Sequence, residues 1–456
     1  METRTITKNM LFINWFSRLK RASLGSYLMR KALANFFLQG VFAVLSFANG
    51  VILARLLGAS EYGAYSNAVA WISVLAMISS FGFDILLVRN IASYKALQKY
   101  DELKGLLRFS GRYVFIFSIL VTLVFAYVAK VWLFSQAEYV IQLAMWWGMT
   151  LIPFLALLNI NASILRGLEH VIHARLPGVL IRPGLIMLGT LLLFFFYSKD
   201  IGIAPVMAVN LGATLCALAL GIFWQRGFLP VELTEGSHKY EIGSWMRSAV
   251  ILLVFGGVQT FYGQIGTIML GILGTAVDVG LFSVASRVAY LLVFALVAVE
   301  IILAPVIARL GATGDRVELQ SVLTRTVRGA FLFVLLPSLV LIFFGDRILV
   351  FFGVEYSAGQ TALVYLVLGQ LVNIAAGSGA VVLFMLGYEY LVAITFVGVA
   401  LMSVAANMVV IPVYGLNGVA IVSAASLVLI NLILSVCVVW RTGLHATVLG
   451  RMGRVI

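Results

Sequence analysis

Apolar residues run through this chain in blocks of about twenty, separated by short polar stretches. A helix rising about 1.5 Å per residue needs a block of that length to cross the roughly 30 Å hydrocarbon core of a bilayer. Twelve blocks are predicted as spans: 32–53, 65–87, 113–134, 142–165, 180–197, 203–224, 249–273, 281–306, 329–345, 361–385, 391–411 and 418–440. A membrane barrel would show alternating segments of about ten residues instead, and the chain lacks them. The predicted fold is an all-α polytopic membrane protein of about twelve transmembrane helices.

A second pattern overlies the first. The stretches LLGASEYGAYSNAVA (Leu56–Ala70) and ILGTAVDVGLFSVAS (Ile272–Ser286) share Leu-Gly, then Gly, an apolar residue, an aromatic, Ser, any residue and Ala. A shift of 216 residues also brings Gly58 onto Gly274, Glu102 onto Glu318, Arg112 onto Arg328 and WQRGF (Trp224–Phe228) onto WRTGL (Trp440–Leu444). One residue more brings FSQAEY (Phe134–Tyr139) onto FFGVEY (Phe351–Tyr356). An even number of spans separates the copies, so both insert in the same orientation. They are predicted to form two six-helix lobes related by a pseudo-two-fold axis along the membrane normal, with a cavity between them. The expected boundaries are a basic segment 1–31, a first lobe 32–228, a linker 229–248, a second lobe 249–444 and a tail 445–456. Gly58, Gly63, Gly274 and Gly280 are expected to punctuate tight outer turns.

Composition agrees with the membrane reading: 62% of residues are hydrophobic and 11% charged, against about 25% charged in soluble domains. The net charge of +13 is unevenly placed. Of the Lys and Arg residues, only Arg55, Lys130, Lys199 and Arg347 fall on the side opposite the N-terminus, and Arg287 lies inside a span. The positive-inside rule then puts both termini and the basic loops in the cytoplasm, in a cytoplasmic (inner) membrane. The charge is a topology signal, and nucleic acid is not expected as a partner. At the N-terminus, Leu11, Phe12, Trp15, Phe16 and Leu19 share one helical face flanked by Arg18, Lys20 and Arg21, as in a helix lying on a membrane surface. No cleaved signal peptide is expected. Cys216 and Cys437 lie in apolar runs, which disfavours disulfides and metal thiolates.

The segments ARLLGASEYGAYSNAVA, APVIARLGATGDRVELQSVLTR, FFGVEYSAG, FMLGYEYLV and IPVYGLNGVAIVSA together resemble the oligosaccharide (polysaccharide) flippase family of the multidrug/oligosaccharidyl-lipid/polysaccharide (MOP) exporter superfamily. The resemblance runs from about residue 30 to 445. It implies a flippase that carries a glycan linked to an undecaprenyl-type diphosphate to the outer leaflet by alternating access. It also implies membrane lipids, a glycan polymerase and glycosyltransferases as partners, and surface polysaccharide such as O-antigen, capsule or exopolysaccharide as the destination.

Moving such a cargo needs a hydrophilic interior, so polar groups within spans are the candidates. Asn35, Gln39, Ser46 and Asn49 fall in one narrow sector of the first helix, as a sugar-facing wall or as interhelical hydrogen bonds. In the second half Gln259 and Tyr262 lie near one face. Arg287 stands about seven residues, roughly 10 Å, past the turn at Gly280. The resemblance makes it the candidate for the diphosphate or acidic sugars; the alternative is an arginine snorkelling to the outer headgroups. Asp84 with Arg89, and Glu300 with Arg309, are candidates for gating or ion coupling, or for static ion pairs. Arg166 and Arg182, with Arg175, are candidates for a cytoplasmic entry. His170 and His173 share a face, but nearby ligands are too few for a metal. Asn161-Ala162-Ser163 matches a glycosylation pattern but is buried in a span. Ala96–Arg112 and Gly314–Gly329 read as short amphipathic surface helices, the second opened by an Asp315 cap with Glu318 three residues on. The chain offers no glycine-rich phosphate loop, paired metal carboxylates or large outer loop, so neither an enzyme nor a cofactor is expected. The competing function is a cation-coupled small-molecule or multidrug antiporter of the same superfamily.

Overall fold

The computed structural model describes residues 3–133, 138–196, 202–229 and 238–450; side chains are described over the same residues except 3–38, 132, 133, 254, 255, 295, 298, 301, 302 and 305. Asn35 and the surface-helix residues Leu11–Leu19 therefore lie outside the described side chains. Among the described residues the regular structure is entirely helical. The first half holds α1 (Thr3–Ser80), α2 (Phe83–Ala96), α3 (Tyr100–Val128), α4 (Tyr139–Met149), α5 (Leu151–Gly167), α6 (Val171–Leu176), α7 (Arg182–Phe196) and α8 (Ile203–Phe228). The second holds α9 (Ile242–Leu273), α10 (Ala276–Tyr290), α11 (Val293–Thr313), α12 (Arg316–Leu349), α13 (Gln360–Ala376), α14 (Gly379–Met385) and α15 (Glu389–Thr442).

By length and composition eight helices among the described residues can cross a membrane, or nine if α4 and α5, bent by 45° to each other, count as one span. Two of the eight, 42 and 54 residues long, are long enough to cross twice, and their contacts show that they turn back. Gly40 approaches Phe294 and Gly50 approaches Arg287, so the first part of α1 climbs along α11 and α10. Asn67 then meets Thr267, Gly257 meets Met77 and Gly82 meets Ala249, a descent along α9. The chain must turn back between these runs, and Gly58 breaks the helix there with φ 68° and ψ 174°. In α15 the two ends meet directly, Arg441 Nη2 donating to Tyr390 Oη at 3.0 Å. The break is Gly415, with φ 50°. A positive φ suits glycine, which has no Cβ to clash.

Of the repeated glycines, only Gly58 among the four has a positive φ. Gly63 and Gly280 sit inside helices, where a Cβ on Gly63 would strike the Ala276 carbonyl and one on Gly280 the Ala59 carbonyl. The two copies of the repeated sequence thus cross each other, backbone against backbone. The expectation of turn glycines is corrected at these two positions: the recurring glycine serves a close helix crossing between the halves, as small residues do in membranes.

We call the end bearing the basic loops the inner face. Toward the outer face one buried cluster draws on both halves, joining Leu53, Tyr62 and Ile152 with Val284, Leu349, Phe352 and Tyr356. Toward the inner face the clusters are separate. One gathers Phe83, Leu86, Leu103, Leu106 and Ile160; the other gathers Leu303, Ile307, Leu323, Leu383 and Leu434. α9 links them, its Trp245 and Ala249 buried in the first cluster and its Ile265, Met269 and Leu270 in a core of the second half. The stretches expected as separate surface helices are instead the opening turns of α3 and α12. Leu103 and Leu106 bury beside Trp245, so α3 begins already packed, and Asp315 caps α12 by accepting from the Glu318 N–H at 3.0 Å.

Candidate functional site between the two halves

α10 places Arg287 eleven residues past its start at Ala276, about 16 Å along the axis and hence near the middle of a bilayer core about 30 Å thick. α10 ends three residues later, and a short irregular link separates it from α11. The guanidinium turns across to α1, where Nη1 donates to the Ser46 carbonyl and lies 3.3 Å from Ser46 Oγ. It crosses α1 at Gly50, where a Cβ would meet Arg287 Cδ at 2.7 Å. Gln39, Ser46 and Arg287 line one cavity of about 120 Å³ with Phe47, Tyr290 and Phe294. Among the described residues the only ion pair is Lys239 with Glu102, so Arg287 faces this cavity without a carboxylate of its own. The direction of the side chain is toward the other half rather than the outer headgroups.

The rest of the first-helix row divides. Gln39 Oε1 accepts from Arg175 Nη1 at 3.4 Å, which draws α6 toward the cavity. Asn49 turns away, its Nδ2 donating to the Pro183 carbonyl at 2.8 Å. That bond is the interhelical alternative at this position. Gln259 lines a different, mainly apolar cavity of about 340 Å³ with Phe384, Val392 and Phe396. Tyr262 packs edge-on against Phe396 with centroids 5.6 Å apart. These two residues are therefore not brought together with Arg287.

Arg182 does not sit at an entry rim. Its Nε donates to Thr214 Oγ1 and its Nη2 to Asn210 Oδ1, each at 3.0 Å, and Asn210 Nδ2 donates to Tyr65 Oη at 3.0 Å. Asn210 lies seven residues from the start of α8 at Ile203, so the network is about 10 Å from the outer end of that helix. The sequence placed Arg182 near a cytoplasmic turn because the span was drawn to start at 180; α7 continues a helical run from Val171, which carries Arg182 inward. Tyr65 is within electrostatic reach of both Arg182 and Arg287. Tyr65 is the aromatic of the repeated sequence, a signal that could have drawn attention to it.

Arg166 Nη2 donates to Ser163 Oγ at 2.8 Å, and Asp84 is its electrostatic neighbour. Asp84 follows the break at Phe81 and Gly82, both with positive φ, in the first turn of α2. Glu300 lies beside Ser378, the residue just before α14 and just after the break at Gly377. Both carboxylates thus lie beside interrupted helices. Neither of the expected static pairs forms: Arg89 Nε donates to Asn90 Oδ1 at 3.3 Å, and Arg309 is exposed. His170 stacks on Phe228 at 3.9 Å and His173 meets Trp224 edge-on, so the imidazoles pack against α8. Asn161 Nδ2 donates to Gln225 Oε1 at 2.6 Å between α5 and α8.

Above the cavity the outer side is sealed by residues that no single-residue reading had singled out. Tyr62, Phe352 and Tyr356 are fully buried. Tyr62 and Tyr356 meet edge-on at 6.2 Å, as do Phe47 and Phe352 at 5.3 Å. Arg55 Nε donates to the Phe351 carbonyl at 2.7 Å. Asn67, fully buried, donates to the Thr267 carbonyl at 2.9 Å. Every one of these contacts joins the first half to the second.

A comparison with curated protein sequences gives no match. Among solved structures the chain is similar to a multidrug resistance MATE family transporter of the MOP superfamily in an inward-facing conformation, with TM-score 0.70, 17% identity, and 86% of this chain and 92% of that one covered. It is similar to the lipid II flippase MurJ in an inward closed conformation, with TM-score 0.71, 15% identity and coverages of 88% and 86%. An outward-facing MATE family transporter gives TM-score 0.56 at 17% identity, with coverages of 89% and 93%. At such identities the likeness concerns the fold. A family model described as polysaccharide biosynthesis protein matches residues 28–311, more than half of the chain. The chain therefore belongs to the polysaccharide biosynthesis protein family and is a multi-pass membrane protein with the two-lobed fold of the MOP superfamily.

Proposed function

We propose that this protein is a flippase that moves a polyprenyl-diphosphate-linked oligosaccharide from the cytoplasmic to the outer leaflet for surface polysaccharide assembly. The observation that carries the proposal is Arg287, a cation without a carboxylate partner among the described residues, held in a cavity between the halves with Gln39 and Ser46. A guanidinium forms paired, charge-assisted hydrogen bonds with phosphate oxygens, and amide and hydroxyl groups suit sugar hydroxyls. The structure of MurJ, described as a lipid II flippase, adds a fold of the same kind.

In this proposal the chain crosses the membrane twelve times, with α1 and α15 crossing twice each and α10 with α11 forming one broken pass. Both termini and the basic loops face the cytoplasm. The lobes are 32–228 and 249–444, with α9 as the moving link. Cargo reaches the chamber from the inner side, and its diphosphate meets Arg287, with Arg182 deeper in the first lobe adding positive potential through Tyr65. Loss of the aromatic seal and formation of inner contacts then expose the chamber to the outer leaflet, with the polyprenyl tail remaining in lipid. Asp84 and Glu300, beside interrupted helices, are the groups proposed to respond to a coupling ion. No catalytic step is involved.

The test is accumulation of cargo in a strain lacking the gene. Lipid-linked repeat units that build up, and clear when the wild-type chain is restored, support the flippase. Drug or dye sensitivity with normal glycan would instead support the antiporter.

A further inference from the structure

A third cavity, of about 320 Å³, lies away from the chamber, at the inner end of α3. Arg108, Arg112, Tyr113 and Ile116 from α3 line it with Tyr240 and Ile242 from the approach to α9. Arg108 and Arg112 are four residues apart and so project from one face. Both are exposed, Arg108 Nη1 lies 3.1 Å from His238 Nε2, and among the described residues neither is ion-paired with a carboxylate. Continuing at the same spacing, Ile116, Leu120 and Val124 are 67%, 53% and 55% exposed. One face of α3 therefore passes, in order, from two guanidinium groups to a lipid-facing apolar track.

That order matches an amphiphile with an anionic head and an apolar chain. A free phosphate would leave the apolar track unused. Tyr113 and Tyr240, which line the cavity, are amphipathic aromatics of the type that favours the membrane–water boundary. Basic pockets on the inner side of membrane helices attract anionic headgroups. We propose that this cavity holds an anionic phospholipid of the inner leaflet, its phosphate between Arg108 and Arg112 and one acyl chain along Ile116 and Leu120.

The place matters for motion. Just beside the cavity, the Lys239 N–H donates to the Asp101 carbonyl at 3.2 Å and Lys239 Nζ pairs with Glu102 at 2.9 Å. Trp245 meets Phe109 at 5.8 Å. A lipid touching both α3 and Ile242 fastens the start of α9 to the first half, and α9 is the helix that passes from one core to the other.

The experiment is native mass spectrometry of the full-length protein, purified in neutral detergent and offered phosphatidylglycerol or phosphatidylcholine of identical chains. Wild type is expected to retain phosphatidylglycerol about tenfold better, the scale of one to two surface cations. The paired substitution Arg108→Gln with Arg112→Gln removes that preference and lowers the melting temperature little, since both side chains are exposed and Arg108 gives up only its contact with His238. Equal retention of the two lipids by wild type, or an undiminished preference in the paired variant, overturns the proposal. Displacement by inorganic phosphate reassigns the cavity to free anions, and displacement by a synthetic polyprenyl diphosphate reassigns it to cargo; either result also overturns it. Arg287→Ala keeps the lipid preference, so this reading and the transport reading can fail separately.

Discussion

Arg287 and Arg182 are cations that the fold draws into its interior, and their partners separate their roles. Arg287 rests on the Ser46 carbonyl and faces a cavity, so in the proposed function it is the cation that meets cargo. Arg287→Ala is expected to lower glycan export about tenfold, the worth of one charge-assisted hydrogen bond, with protein abundance unchanged. Quantifying surface polysaccharide against membrane protein level checks this, and normal export would remove Arg287 from the path. Arg182 is held by the neutral oxygens of Thr214 and Asn210. A buried cation lacking an opposite charge weighs against stability, so Arg182→Met should melt at least as high as wild type in detergent while exporting less. A fall in melting temperature would make Arg182 structural instead. At this scale the sequence revealed Arg287, because a charge inside an apolar run is conspicuous. It misplaced Arg182, because a few residues of error at the start of a span move a side chain from the rim into the interior. It also could not sort Gln39 from Asn49, since both share a sector and only the neighbouring helices decide which meets the cavity and which meets Pro183.

The repeated glycine-bearing helices show the same limit for whole elements. Their recurrence was legible, but the pattern fits a turn or a crossing equally well, and only packing shows that Gly63 and Gly280 lie at a crossing. A larger side chain there must separate the halves at their outer ends. Cysteines replacing Arg55 and Phe351 are expected to be joined readily by a short bifunctional reagent, and much more slowly when Gly63→Leu is added; an unchanged rate contradicts the crossing role. The approach to α9 gives a pH prediction. Partial burial, with Arg108 and Lys104 nearby and Asp101 opposing them, holds His238 below the usual histidine range. The neutral ring is then favoured by the folded clamp, whose contribution is present above the ordinary value of about 6.5 and is lost as pH falls below it. In neutral detergent, hydrogen exchange across residues 238–245, corrected for intrinsic rate, should rise between about pH 7.5 and about pH 5.5, and His238→Gln should abolish the change. Pattern alone had assigned the start of α3 to a surface helix, because its charged residues hide the buried face made by Leu103 and Leu106.

At the scale of the whole molecule, a shared outer core and separate inner cores describe two lobes joined at one end. Helical class and the two-lobed fold were legible because each is written in a hydropathy pattern that runs over many residues. The seal of Tyr62, Phe352 and Tyr356 was not, because aromatic residues in apolar runs look alike until the halves meet. The most direct measurement uses purified protein in liposomes with a polyprenyl-diphosphate-linked oligosaccharide in one leaflet, following access of an externally added glycosidase. Wild type should deliver the glycan to the opposite leaflet, and Arg287→Ala should do so about tenfold more slowly. Imposed proton, sodium or voltage gradients should change the wild-type rate if Asp84 and Glu300 couple to an ion. Glycan that stays in its leaflet while the same vesicles export a small cationic drug would contradict the proposed function.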